Sequence, residues 1–119
     1  RCLSAPDVLE VWGSGRATRE HLFVEDAADG LLALARYDSP DPLNIGTGQE
    51  VSVAELAQAI AEATGFEGAV RFDPSKPDGQ PRKVMDCSRA EAVLGWTAPT
   101  SLEDGLSKTV AWYREQLEC

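Results

Sequence analysis

An α/β fold is predicted for this chain, because strand-like and helix-like segments alternate along it and two helix starts carry a Ser-x-x-Glu pattern. The strand-like segments are few and short, so the sheet they can build is incomplete, with about four helices around it. A length of 119 residues bounds the chain to one domain, and 43% hydrophobic with 26% charged residues is ordinary globular composition.

Val8 to Trp12 is β-branched and aromatic and reads as a strand ended by Gly13-Ser14-Gly15. A polar loop runs on to Glu20, and His21 to Val24 is a brief extended stretch. Val24, Ala27, Ala28, Leu31 and Ala35 recur at helical spacing, which predicts an amphipathic helix through Arg36. Tyr37 to Pro42 is turn chemistry, and Leu43 to Ile45 reads as a short buried strand stopped by Gly46-Thr47-Gly48. Ser52 and Glu55 form a capping box for a helix whose face is Val53, Leu56, Ala57, Ile60 and Thr64, closed by Gly65. Ala69 to Phe72 is another strand. Pro74 to Lys83 holds three prolines and a glycine, which predicts a loop without regular structure. Ser88 and Glu91 repeat the capping pattern for a short helix ended by Gly95, and Ser101 opens the last helix, with Leu102, Leu106, Val110, Tyr113 and Leu117 on its buried side.

With 20 acidic against 11 basic side chains, the net charge of −9 argues against nucleic-acid or anionic-membrane partners, both of which need positive fields. No apolar run approaches the roughly 20 residues that span a bilayer. A soluble, cytoplasmic protein is expected. Cys2, Cys87 and Cys119 have neither disulfide-framework nor zinc spacing, so reduced thiols are expected and no metal is called for. The opening Arg1-Cys2-Leu3 does not look like a translation start, and a piece of a longer protein is the expectation.

Charge distribution is the most informative feature. Gly13 to Arg19 and Pro74 to Lys83 together carry Arg16, Arg19, Lys76, Arg82 and Lys83 against the single acid Asp78, while the remaining residues carry six cations and 19 acids. Two loops that keep their cations inside an acidic protein read either as walls of a phosphate or diphosphate site or as solvated charge offsetting nearby helix carboxylates. Trp12, beside the first loop, reads either as core or as a platform for a flat base or sugar. The two Gly-x-Gly strings lack the third glycine of a dinucleotide loop, since those positions hold Thr18 and Val51, and they read as turns. Acid/base chemistry through a Tyr-x-x-x-Lys pair is not available, because Asp41 follows Tyr37 and Leu117 follows Tyr113 at that spacing. His21 reads as a half-buried structural residue and Cys87 as an inert, buried thiol.

Taken in order, Trp12-Gly13-Ser14-Gly15 with Arg19-Glu20, Val24-Glu25-Asp26-Ala27-Ala28, Asn44-Ile45-Gly46-Thr47-Gly48, Ser75-Lys76-Pro77-Asp78-Gly79-Gln80-Pro81-Arg82-Lys83 and Leu94-Gly95-Trp96 resemble the GDP-L-fucose synthase family. That family belongs to the extended short-chain dehydrogenases/reductases, whose fold is Rossmann-like. The likeness runs from about Asp7 to about Glu118 and looks like the C-terminal, substrate-binding part, so residues 1–119 are expected to form a single partial domain without the N-terminal dinucleotide-binding part. The resemblance implies an NADP-dependent enzyme that epimerises GDP-4-keto-6-deoxy-D-mannose and reduces it to GDP-L-fucose. It also implies a GDP-sugar ligand and a homodimer for the complete enzyme. Carried over by motif, Trp12, Arg19 and Lys83 would contact the GDP moiety, and Asp78 and Arg82 would shape that loop or touch the nucleotide. One departure is His21-Leu22-Phe23, where the family usually places its aromatic first, so His21 inherits no role. The family's cofactor loop and catalytic set have no counterpart here, which leaves this chain without catalytic residues of its own and predicts exposed strand edges and apolar surface. Another nucleotide-sugar epimerase or dehydratase, and a non-catalytic binding module, are the alternatives.

Overall fold

A computed structural model of the protein describes residues 2–4 and 7–117. After a 3-10 turn over Cys2–Ser4 come β1 (Val8–Trp12), β2 (Thr18–Arg19), α1 (Val24–Leu34), β3 (Val51–Ser52), α2 (Val53–Thr64), β4 (Ala69–Asp73), β5 (Arg82–Lys83), α3 (Ser88–Leu94) and α4 (Leu102–Leu117). β1 pairs in parallel with β4, from Val8 opposite Ala69 to Trp12 opposite Asp73. A second, three-stranded ribbon has the order β3-β2-β5, with β2 antiparallel to β3 and parallel to β5. The α/β class with four helices and short strands is therefore observed.

Local chemistry explains the helix limits. Ser52 and Glu55 form the reciprocal capping box, and α2 ends at Gly65 in the left-handed conformation. Ser101 Oγ accepts the Asp104 N–H at 3.1 Å and so starts α4. Thr100 donates through its N–H and its hydroxyl to buried Asp26 at 2.9 and 2.8 Å, which ties the entry of α4 to the first turn of α1. At the other end of α4, Arg114 Nη2 donates to the Thr64 carbonyl at the C-terminus of α2 (2.9 Å).

Several expectations need correction. Leu43 to Ile45 is not a strand, because it finds no backbone partner; Asn44 Nδ2 instead donates to the Asp86 carbonyl at 3.0 Å. His21 to Phe23 is irregular, Val24 already begins α1, and His21 is exposed rather than half-buried. The loop up to Glu20 contains β2, and Pro74 to Lys83 ends in β5, because past Pro81 the backbone N–H groups return and can pair. The second capping box does not form. Ser88 is already the first residue of α3, and its N–H is taken by Asp86 Oδ1 at 3.0 Å. Tyr113 and Leu117 of α4 are exposed.

The chain is a flat slab. Its Cα radius of gyration is 16.8 Å, with extents of 51 × 37 × 18 Å, whereas a compact chain of this length has about 13.5 Å. Among the described residues the buried apolar side chains are Ala17, Ala57, Ala61 and Ala90, and no large side chain is fully buried. The apolar stripe of α1 faces outward, with Val24, Leu31 and Leu32 largely exposed. No helix of the described residues is long and apolar enough to cross a membrane.

The tightest helix packing lies at Gly30, buried in α1, where a Cβ would come within 2.5 Å of Ile45 Cγ2 and 3.0 Å of Trp96 Cζ2. A Gly30→Ala substitution is expected to destabilise the protein by about 1–3 kcal/mol, since neither neighbour is a flexible chain end. Denaturant unfolding of the two forms checks this, and an unchanged midpoint would contradict the packing described.

Candidate functional site

Two basic segments, separated by more than fifty residues of sequence, run side by side and in the same order. At one end the Lys76 ammonium sits over the Trp12 ring, 5.6 Å from its centroid. Next, the Ser14 N–H donates to Asp78 Oδ1, and the Ser14 hydroxyl donates to Oδ2 at 2.7 Å. The Arg19 guanidinium then lies beside Gly79, whose missing Cβ would be 3.7 Å from Nη2. Finally the Thr18 N–H donates to the Pro81 carbonyl at 2.9 Å, and β2 and β5 pair with Thr18 opposite Arg82 and Arg19 opposite Lys83.

Asp78 makes the central rung. Gly13 adopts φ +91° and passes so close that a Cβ there would collide with the Asp78 carboxylate. A side chain at that position is thus opposed by both conformation and space. The Ser14 hydroxyl first and its N–H second hold the Asp78 carboxyl below the ordinary carboxylate range, because both donate to the charged form.

Strand alternation sorts the cations. Successive side chains on a strand point to opposite faces, so Thr18 and Arg82 share one face of the ribbon and Arg19 and Lys83 share the other. On the first face Arg82 meets Glu50: its Nε lies 3.0 and 2.8 Å from the two carboxylate oxygens and its Nη2 at 2.8 Å. Thr18 Oγ1 donates to the same carboxylate. On the second face Arg19 Nη1 donates to the Thr18 carbonyl at 2.6 Å. Among the described residues the ion pairs are Arg82–Glu50, Arg89–Asp41 and Lys108–Glu25, so Arg16, Arg19, Lys76 and Lys83 have no carboxylate partner. Trp12 is 66% exposed in this chain, with Lys76 over its ring.

Of the five residues singled out by sequence, Arg19, Asp78, Arg82 and Lys83 lie on these two segments and Trp12 immediately precedes the first, in two different settings. Arg19 and Lys83 are adjacent and unpaired, with Trp12 at the far end of the same track. Asp78 is committed to Ser14, and Arg82 to Glu50. Sequence reasoning missed Ser14 and Glu50, whose partners lie 64 and 32 residues away and leave no periodic signal.

The other nucleophilic and cofactor-like features are structural. Cys87 is half-buried rather than buried, and that burial first, with the nearby Glu20 charge second, pushes its thiol up; Cys119 lies outside the described residues. The Gly46 to Gly48 turn is occupied by Glu20, whose Oε2 accepts the Gly48 N–H at 2.9 Å. At the first turn, the Gly15 and Ala17 carbonyls take the Ala54 and Val53 N–H groups of α2 at 3.0 and 2.9 Å. A dinucleotide-binding loop needs free N–H groups at a glycine-rich helix start, so neither glycine turn fits that role.

The folded pKa of Asp78 is depressed, so the clamp's contribution is present above the ordinary carboxylate range and is lost as pH falls through the lower folded value. An NMR titration should place the Asp78 carboxyl below its ordinary value in the natural protein and return it upward in Ser14→Ala. Identical titration curves for the two forms would contradict the clamp.

The sequence profile of the GDP-mannose 4,6 dehydratase family matches residues 3–109. GDP-L-fucose synthase 1 of Arabidopsis thaliana is 52% identical over 112 residues, covering 93% of this chain and 34% of that protein. The GDP-L-fucose synthetase of Naegleria fowleri, solved bound to NADP, superposes with a TM-score of 0.86 at 32% identity, covering 93% of this chain and 36% of that one. The UDP-glucose 4-epimerase of Thermotoga maritima, solved with UDP-glucose, superposes with a TM-score of 0.84 at 29% identity, covering 92% and 35%. The chain thus spans about a third of the length of the relatives it matches. With the ordered motifs, the α/β architecture and a profile match over nearly its whole length, the chain belongs to the GDP-mannose 4,6 dehydratase family of nucleotide-sugar enzymes within the extended short-chain dehydrogenase/reductase fold.

Proposed function

We propose that this chain is the C-terminal, substrate-binding part of a cytoplasmic GDP-L-fucose synthase-like enzyme, and that its two zipped loops bind the GDP moiety of GDP-4-keto-6-deoxy-D-mannose. One observation carries the proposal: Arg19 and Lys83 stand side by side on one face of the ribbon with no carboxylate partner among the described residues, in a chain whose net charge is −9. Uncompensated cations held together by backbone pairing repel each other. Their juxtaposition is readily understood if an anion completes the site.

Each residue has a distinct part. The Arg19 fork can donate two parallel hydrogen bonds to diphosphate oxygens, while Lys83 supplies a compact charge beside it. Trp12 offers an exposed ring face to the base or sugar, and Lys76 already covers part of it. Asp78 holds the two walls together and, being committed to Ser14, touches the ligand least. Gripping the nucleotide orients the attached sugar, so that binding energy from a non-reacting portion serves a reaction carried out elsewhere. Epimerisation, reduction and NADP binding then fall to the rest of the enzyme. The chain by itself is then inactive.

A second reading keeps the site and changes the base. The likeness to an epimerase solved with UDP-glucose favours it, since contacts to a diphosphate do not discriminate between bases. Calorimetric titration of the complete enzyme with GDP, UDP and dTDP separates the two, with GDP expected to bind tightest. Arg19→Ala and Lys83→Ala are each expected to weaken GDP binding by about 10- to 100-fold, the equivalent of losing a charge-assisted hydrogen bond. Unchanged affinity in both variants would remove the site assignment.

A further inference from the structure

We propose that Glu50 is a positioning residue that locks the register of the β3-β2-β5 ribbon, and so decides which of two neighbouring cations, Arg82 or Lys83, faces the nucleotide. The inference rests on the GDP-binding reading of Arg19 and Lys83.

β5 is only two residues long, Arg82 and Lys83, and so is β2. Strands this short specify their pairing weakly, and a slip of one residue moves each side chain to the opposite face. Here a slip would exchange one cation for the other. Arg82 would stand beside Arg19, and Lys83 would turn away. Burial cannot prevent this, because both residues of β5 are exposed.

Among the described residues, the side chain found bridging the three strands on the Arg82 face is Glu50, which immediately precedes β3. Its carboxylate accepts the Thr18 hydroxyl from β2 and three guanidinium contacts from β5. Arg matches that double acceptance with its planar fork, whereas a lysine in the same place would offer a single point charge. The slipped register would give up those paired contacts. The Arg82 side chain is 66% exposed, and an ion pair so exposed contributes little to stability, so the value of this one lies in geometry. It also removes Arg82 from the free cations of the ribbon, which leaves Arg19 and Lys83 as those that β2 and β5 present to the ligand.

The test is GDP affinity of the complete enzyme, measured by calorimetry for Glu50→Ala, Lys83→Ala, the Glu50→Ala/Lys83→Ala pair and the charge exchange Glu50→Arg/Arg82→Glu. Glu50→Ala should weaken binding by about 10-fold, and adding it to Lys83→Ala should cost little more, because both take the Lys83 ammonium away from the nucleotide face. The charge exchange should recover affinity to within about 3-fold of the natural protein, since the bridge is restored with its polarity reversed. Melting temperatures, recorded alongside, should move little. Glu50→Ala binding GDP as well as the natural protein while Lys83→Ala is weakened would overturn the lock and leave the site standing. A charge exchange as weak as Glu50→Ala would overturn it too, showing that the Arg82 cation itself is needed. Full affinity in Lys83→Ala would remove the GDP-binding reading and the lock together.

Discussion

Asp78 accepts the hydroxyl and the N–H of Ser14, and through that pair of hydrogen bonds a segment with three prolines is laid along a glycine turn more than sixty residues earlier in the chain. The position of every cation in the candidate site depends on this alignment. Before it, Lys76 reaches Trp12; after it, Pro81 takes the Thr18 N–H and the β2–β5 pairing begins. Prolines suit such a segment. They restrict it in the unfolded chain, so fewer conformations are lost when it is laid down, and they withhold N–H groups where none is needed.

Electrostatics and packing pull in different directions across the molecule. The residues outside the two basic segments hold 19 of the 20 acids, and the basic segments hold nearly half of the cations in far fewer residues. Where a basic side chain on these segments does meet an acid, at Arg82–Glu50, the pair anchors the ribbon rather than the ligand. The core beneath is thin, built of alanines, and the outward stripe of α1 leaves Val24, Leu31 and Leu32 exposed. On the proposed reading, such a slab is one wall of a larger enzyme, with the hydrogen-bonded track turned to the substrate.

How much was legible in the sequence follows the range of the interactions. The capping box of Ser52 and Glu55 and the stop at Gly65 depend on neighbours in sequence, while the strands Val8–Trp12 and Ala69–Asp73 pair with each other at long range and were readable because each carries enough β-branched and aromatic residues. Leu43 to Ile45 has strand composition but no partner, and composition alone cannot supply one. β2, β3 and β5 are the reverse: each has two residues, too few for any alternation to register, and exists only because the others do. The site was half visible. Segregated charge marked the two loops, while the division of labour among their cations needed the pairing of Arg19 with Lys83 and of Arg82 with Glu50.

The account stands on one claim, that the two zipped loops form a single face for a nucleoside diphosphate. A crystal structure of the complete enzyme with GDP tests it most directly. The account places the diphosphate between Arg19 and Lys83, with at least one hydrogen bond of about 2.7–3.0 Å from each, and leaves Arg82 on Glu50. A diphosphate bound elsewhere, with Arg19 and Lys83 both open to solvent, would contradict it.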